Sequence, residues 1–171
     1  MVKLAHIPNG ISEIKSYYGN PDKDRNWILD KDFYSSLINV KLPFPVKISW
    51  DPKTIVQNTV MHPLVADSFV DALTDIMNYK GLKYLQDNKL DYFGGCFNFR
   101  KMVGYPALSV HSWGCAIDWC PDIGRFGSWD DQAKYPRFIV EAFTERGWDW
   151  GGGWPKKYQP DAMHFQACTG Y

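Results

Sequence analysis

Two short stretches carry side chains that could do chemistry together. In Ser109-Val-His-Ser-Trp-Gly-Cys-Ala-Ile-Asp118, His111 and Asp118 stand seven residues apart, with Gly114 between them to permit a turn. Asp118 is flanked by Ile117 and Trp119 in an apolar run. A carboxylate in such a run is costly to bury unless it meets a cation or strong donors. A metal ion meets that need, and so does a salt bridge. In Pro160-Asp-Ala-Met-His-Phe165, Asp161 and His164 stand three apart. One of that pair can bind a metal while the other acts on a water. Two histidines and one aspartate make a three-ligand set for zinc, and a catalytic zinc keeps its fourth position open. The other histidines, His6 and His62, are read as lacking an acidic partner in a comparable frame.

These side chains need elements to hold them. Cys115 to Cys120 reads as a buried strand, and Ala162 to Gln166 as a closing strand. Asp91 to Arg100 alternates in part and is rich in aromatics, so it reads as a strand with a bend or bulge at Gly94-Gly95. Val65, Phe69, Leu73, Ile76 and Met77 form one apolar stripe, which predicts a helix from Pro63 to about Gly81 with a short extension toward Asn88. A second helix is expected from Pro136 to Arg146, with Gly147 as its C-terminal cap. Gly10, Gly19, Pro21, Pro43, Pro45 and Pro52 cut residues 1–60 into short pieces. Only a helix from Asp32 to Ile38 and a strand from Val46 to Trp50 are expected there. The sum is one α+β domain over residues 1–171, an antiparallel sheet with helices packed on it.

The motifs carry a resemblance. Ser109, His111, Gly114, Ala116 and Asp118, in the pattern S-x-H-x-x-G-x-A-x-D, resemble the signature of the D-Ala-D-Ala carboxypeptidase-like zinc peptidases, the M15 group. Asp161, His164 and Phe165 are similar to its second motif, D-x-x-H-F. Gly147-Trp-Asp-Trp-Gly-Gly-Gly-Trp154 and Asn98-Phe-Arg100 resemble the branch containing phage endolysins with L-alanyl-D-glutamate endopeptidase activity. The resemblance covers residues 91 to 166 and leaves residues 1–60 unassigned. Gly153 and Trp119 depart from the usual residues of the group at two positions that are not ligands.

The resemblance implies a Hedgehog/DD-peptidase-like fold and a bound Zn2+ ion. It implies His111, Asp118 and His164 as metal ligands and Asp161 as general base. It further implies Arg100 as the group that meets the substrate carbonyl or the developing oxyanion, with Ser109 beside the site near substrate. The activity implied is hydrolysis of a stem-peptide bond in bacterial peptidoglycan. The alternatives are a D-Ala-D-Ala carboxypeptidase or dipeptidase on the same scaffold, and a non-catalytic zinc-containing wall-binding virion protein.

Composition narrows the classes. The 19 basic and 19 acidic side chains cancel, which gives no electrostatic case for a nucleic-acid partner. No run of 18 apolar residues predicts a membrane span. The start, Met1 to Gly10, is broken by His6 and Pro8 and does not read as a secretory signal. The expectation is a monomer made in the host cytoplasm that reaches the wall after release. Cys96, Cys115, Cys120 and Cys168 show no paired spacing, so they are expected as buried, reduced thiols.

Overall fold

The computed structural model describes residues 1–170. The longest helix is α3, Pro63–Lys80, which follows α1, Ile11–Tyr18, and α2, Lys31–Ser36. Pro63 opens α3 where a missing N–H costs nothing, and the ring of His62 accepts from the Leu64 amide at 3.3 Å. Gly81, at φ 80°, stops it in a conformation that a side chain would resist. Val65, Phe69, Leu73 and Ile76 are buried along one face of α3. Each such side chain stabilises the fold by about 1.5–3 kcal/mol. The short α4, Leu82–Asp87, is the expected extension.

This helix packs on a six-stranded sheet and on α6, Arg137–Thr144. The strands are β1 (Ile38–Ile48), β2 (Asp51–Met61), β3 (Tyr92–Gly95), β4 (Ala116–Trp119), β5 (Asp149–Trp150) and β6 (His164–Gln166). Their order across the sheet is β2-β1-β3-β4-β6-β5. The α+β class holds, but the expectation of a wholly antiparallel sheet does not. β1 runs parallel to β3, and the other pairs are antiparallel. The chain leaves β2, crosses through α3 and α4, and re-enters beside β1 in the same direction, as a parallel pair requires.

The N-terminal third supplies more structure than its punctuation suggests. Pro43 and Pro45 lie inside β1, which alternates in burial through Val40, Leu42, Phe44 and Val46. The pairing with β2 shifts register between Lys41 and Val46, where the two prolines lack the N–H that a ladder needs. β2 is largely exposed along its outer length, so it has no apolar alternation to reveal it. α1 buries Ile14 and Tyr18. α2 begins at an Asp30 cap that accepts from the Phe33 amide, and it ends two residues earlier than expected.

Two further adjustments concern the site. β3 is only four residues long, and from Cys96 the chain leaves the sheet. It then runs beside residues 109–113, with the Asn98 amide bonded to the His111 carbonyl and the Ser109 amide bonded to the Arg100 carbonyl. A short α5, Trp129–Lys134, precedes α6 and was not expected. Elsewhere in the core, the guanidinium of Arg146 is fully buried. It joins Asp71 and Asp75 of α3 to the end of α6.

Candidate metal centre

His111 sits in a 3-10 turn, Val110–Trp113, between the Arg100 segment and β4. Ser109 caps the turn: its hydroxyl accepts from the His111 amide at 3.4 Å. Gly114 ends it in the left-handed region at φ 65°. A Cβ there would also come within 3.0 Å of the His62 amide nitrogen. Asp118 and His164 face each other across β4 and β6, where they are direct register partners. That pairing puts both side chains on one face of the sheet.

The geometry brings the three side chains together. His164 Nδ1 lies 3.1 Å from Asp118 Oδ1, and His111 Nε2 lies 3.4 Å from the same oxygen. One donor atom from each residue lies within 4.8 Å of the others. Zinc bonds of about 2.0–2.2 Å in a tetrahedron place neighbouring ligand atoms roughly 3.3 Å apart. Two of the three edges already have that length.

The remaining ring nitrogens are fixed from behind. His111 Nδ1 lies 2.7 Å from the Cys96 carbonyl, which can only accept, so Nδ1 carries a proton and Nε2 is the free donor atom. His164 Nε2 lies 3.0 Å from Gln166 Oε1. The amide nitrogen of Gln166 donates to the Cys168 carbonyl at 3.0 Å and to Asp149 at 3.4 Å. With its donors engaged there, Gln166 presents only an acceptor to His164. Asp149 in turn accepts from the Trp154 indole at 2.7 Å. A chain Trp154–Asp149–Gln166–His164 therefore holds the proton on Nε2 and leaves Nδ1 facing Asp118. Outer contacts of this kind orient metal-binding histidines and set their tautomer.

Charge follows from the same contacts. Burial works against the Asp118 carboxylate, but its contacts with the His111 and His164 rings outweigh it and hold the group well below the usual carboxylate range. Burial likewise disfavours His164 as a cation, yet the bond and charge of Asp118, with Asp161 and Gln166, raise it to about 9. In the metal-free protein His164 is a cation paired to a carboxylate. A metal would replace its Nδ1 proton.

Asp161 stands at the edge of this cluster. Its backbone carbonyl accepts from the His164 amide at 3.1 Å, closing the turn into β6. Its Oδ1 is buried without a hydrogen-bond partner. Burial, with the nearby Asp118 charge, pushes its carboxyl up to about 6 against the pull of His164, His111 and Arg100. Gly151 makes this approach possible, since a Cβ there would sit 2.5 Å from the Asp161 carbonyl oxygen and 3.3 Å from His164 Cβ. An acidic group left unpaired beside two histidines and a carboxylate suits a site that takes a cation and a water. The donors and their spacing fit zinc.

Residues 103–167 match the peptidase M15 family model described as D-alanyl-D-alanine carboxypeptidase. The matched stretch holds Ser109, His111, Asp118, Asp161 and His164, and leaves residues 1–102 outside, Arg100 among them. No curated protein and no solved structure matches the chain.

Arg100 is exposed, with its guanidinium donating to the Lys101 carbonyl at 3.3 Å and in no ion pair among the described residues. Its backbone is held at both ends by Ser112, whose hydroxyl accepts from the Arg100 amide and donates to its carbonyl, each at 3.1 Å. Ser109 is buried and its oxygen is engaged in the cap. One expectation is overturned outside the site. His6 does have an acidic partner, Glu13, at 2.7 Å on the exposed side of α1. The sequence reading missed Gln166, Asp149 and Gly151. Gln166 had a signal, because two residues after His164 on a strand is the same face.

Proposed function

We propose that this chain is a zinc-dependent peptidoglycan hydrolase of the M15 group that cleaves a stem-peptide bond, of the L-alanyl-D-glutamate endopeptidase type, and acts as a phage endolysin. One observation carries the reading: His111 Nε2, Asp118 Oδ1 and His164 Nδ1 converge beside the unpartnered Asp161 carboxyl. The family match over the same residues supports a peptidase acting on wall peptides. Among the described residues no helix is long and apolar enough to cross a membrane. The endolysin role rests on the resemblance of the Trp148 to Trp154 and Asn98 to Arg100 segments.

His111, Asp118 and His164 would hold the ion. Zinc, when bound, supplies Lewis acidity and lowers the pKa of water from roughly 15.7 to about 7. The chain's own groups do the rest. Asp161 Oδ1 takes a proton from the attacking water as the new C–O bond forms. It returns that proton to the amine nitrogen as the C–N bond breaks. A carboxyl near pH 6 is mostly ionised at neutrality, yet basic enough to accept that proton. Arg100, in no ion pair among the described residues, meets the negative charge on the carbonyl oxygen. Ser109 serves the site through its cap on the His111 turn, beside the substrate.

The test joins metal content to product identity. Wild type should carry about one zinc per chain. His111→Ala, Asp118→Ala and His164→Ala should each lose it, and full occupancy in all three would place the metal elsewhere. Mass spectra of digested muropeptides should show a cut beside L-Ala. Loss of a terminal Ala would instead make the chain a carboxypeptidase, the activity named in the family description. Zinc with no cleavage of any muropeptide would leave the wall-binding virion protein.

A further inference from the structure

A hollow of about 580 Å³ is lined by Ser49, Trp50, Lys89, Pro121, Asp122, Ile123 and Arg125, and a Cβ on Gly94 would lie 3.4 Å from its Pro121 and 2.7 Å from Asp118 Cβ. Its position follows from the strand register. His164 pairs with Asp118, and Asp118 pairs with Gly95 on the next strand. Beyond Gly95 comes the turn between β1 and β2, where the Ser49 amide bonds to the Phe93 carbonyl at 3.0 Å. A Cβ on Gly95 would touch the Trp50 ring at 3.9 Å, and one on Gly94 would crowd Asp118 Cβ at 2.7 Å. The two glycines therefore leave a bare floor between the Asp118 carboxylate and the indole. Two strand spacings put the indole about 10 Å from the Asp118 backbone.

Trp50 is 72% exposed at the head of this trough. A ring of that size left in water forfeits the burial that normally places tryptophan inside a fold. The polar groups around it nearly cancel in charge. Arg125 is already clamped by Asp131 at 2.7 and 3.1 Å, and Lys89 and Asp122, of opposite charge, both line the hollow. A wall without net charge gives no preference to an anionic segment of peptide. It suits a neutral ring with one apolar face and a rim of hydroxyl and acetamido groups, which is the chemistry of an amino sugar.

We infer, resting on the peptidoglycan-peptidase reading above, that this shelf takes the amino-sugar ring to which the stem peptide is attached, stacked on the indole of Trp50. The trough length sets the cut close to the sugar. The first bonds of the stem peptide lie within reach, while the far D-Ala-D-Ala end lies several residues beyond it. Trp50 is then a specificity-determining residue in the part of the chain that the family match does not cover.

Two measurements test this. Metal-free protein is titrated with the trimer of N-acetylglucosamine, followed by indole fluorescence and amide shifts. Binding should perturb Trp50 and the Gly94-Gly95 amides, and Trp50→Ala should abolish it while Trp50→Phe retains part. Separately, kcat/KM is compared for a disaccharide-bearing muropeptide and the same stem peptide freed of sugar. Wild type should prefer the sugar-bearing substrate, and Trp50→Ala should cut that preference about tenfold, through KM. No perturbation by the trimer, or an unchanged preference in Trp50→Ala, would overturn the shelf. Failure of wild type to cleave either substrate would overturn the peptidase reading instead, and the trimer titration would still decide the shelf.

Discussion

At the residue scale the centre depends on which atom of each ligand is free. Gln166 fixes the tautomer of His164 by offering only an oxygen to Nε2. Replacing it with Leu removes that acceptor while filling similar space. Gln166→Leu should weaken zinc binding by about 10–100-fold, the range seen when such outer partners are lost. A competition titration against a chelator reads it, and an unchanged affinity would mean the strand alone orients the ring. Asp161 gives a second prediction. Asp161→Asn keeps size and polarity but cannot take a proton, so zinc should stay while wall hydrolysis falls about a hundredfold or more. In wild type, kcat/KM should drop on the acid side as the Asp161 carboxyl, which burial pushes up, becomes protonated. That limb should vanish in the residual activity of Asp161→Asn. Arg100→Ala should retain the metal and lose at least about tenfold in turnover, or about 1.4 kcal/mol of transition-state stabilisation. Equal rates would reduce Arg100 to a surface residue.

At the scale of elements, close backbone approach matters as much as side chains. Gly151 allows the 3-10 turn at 151–153 to pass under Asp161 and His164. Gly151→Ala drives a methyl to within 2.5 Å of a carbonyl oxygen, so something must shift. Zinc occupancy and melting temperature should fall together in that variant. The helices are tied by Arg146, which is itself buried and pairs with the part-exposed Asp71 and the exposed Asp75. Arg146→Ala should cost about 3 kcal/mol, the low end for breaking a buried pair, because both carboxylates keep some contact with water. For a chain of this size that lowers the melting temperature by roughly 6–12 °C. None of these three residues touches His111, Asp118, Asp161 or His164, so zinc affinity at a permissive temperature should not change.

At the scale of the whole molecule, a metal would compete with protons for one pair of residues, Asp118 and His164. In the metal-free protein His164 is raised to about 9, so its pairing with Asp118 stabilises the fold fully below the ordinary histidine range and is lost as the pH rises through about 9. Asp118 is lowered, so its contribution is present above the ordinary carboxylate range and is lost only in strong acid. A zinc ion held by these residues would replace the Nδ1 proton, and the metal-bound fold would escape the alkaline loss. The gap in melting temperature between zinc-loaded and chelated protein should therefore widen from about pH 6.5 to about pH 9. A constant gap would show that His164 is already neutral without metal. The four cysteines are buried and unpaired, as their lack of paired spacing suggested. Ellman titration should find four thiols in denatured protein and almost none in the native fold.

The sequence by itself determined what depends on local order. The helical stripe from Val65 to Ile76, its Pro63 start and its Gly81 stop follow from neighbouring residues, and they stand in the structure as read. The ligand candidates were legible because type and spacing recur within two short motifs. Spacing alone was still not decisive: His6 and Glu13 are seven apart like His111 and Asp118, and they make only an exposed ion pair. What separates the two pairs is register across the sheet, which brings His164 to Asp118 from 46 residues away. The β1–β2 hairpin escaped the reading because two prolines interrupt one strand and the other lies mostly in water. The parallel pairing of β1 with β3 depends on a crossover that no local pattern encodes. Only the tertiary structure could place Trp50 across Gly95 from Asp118 and Gln166 behind His164, because contacts across strands are set by the packing of the whole sheet and not by neighbours in the chain.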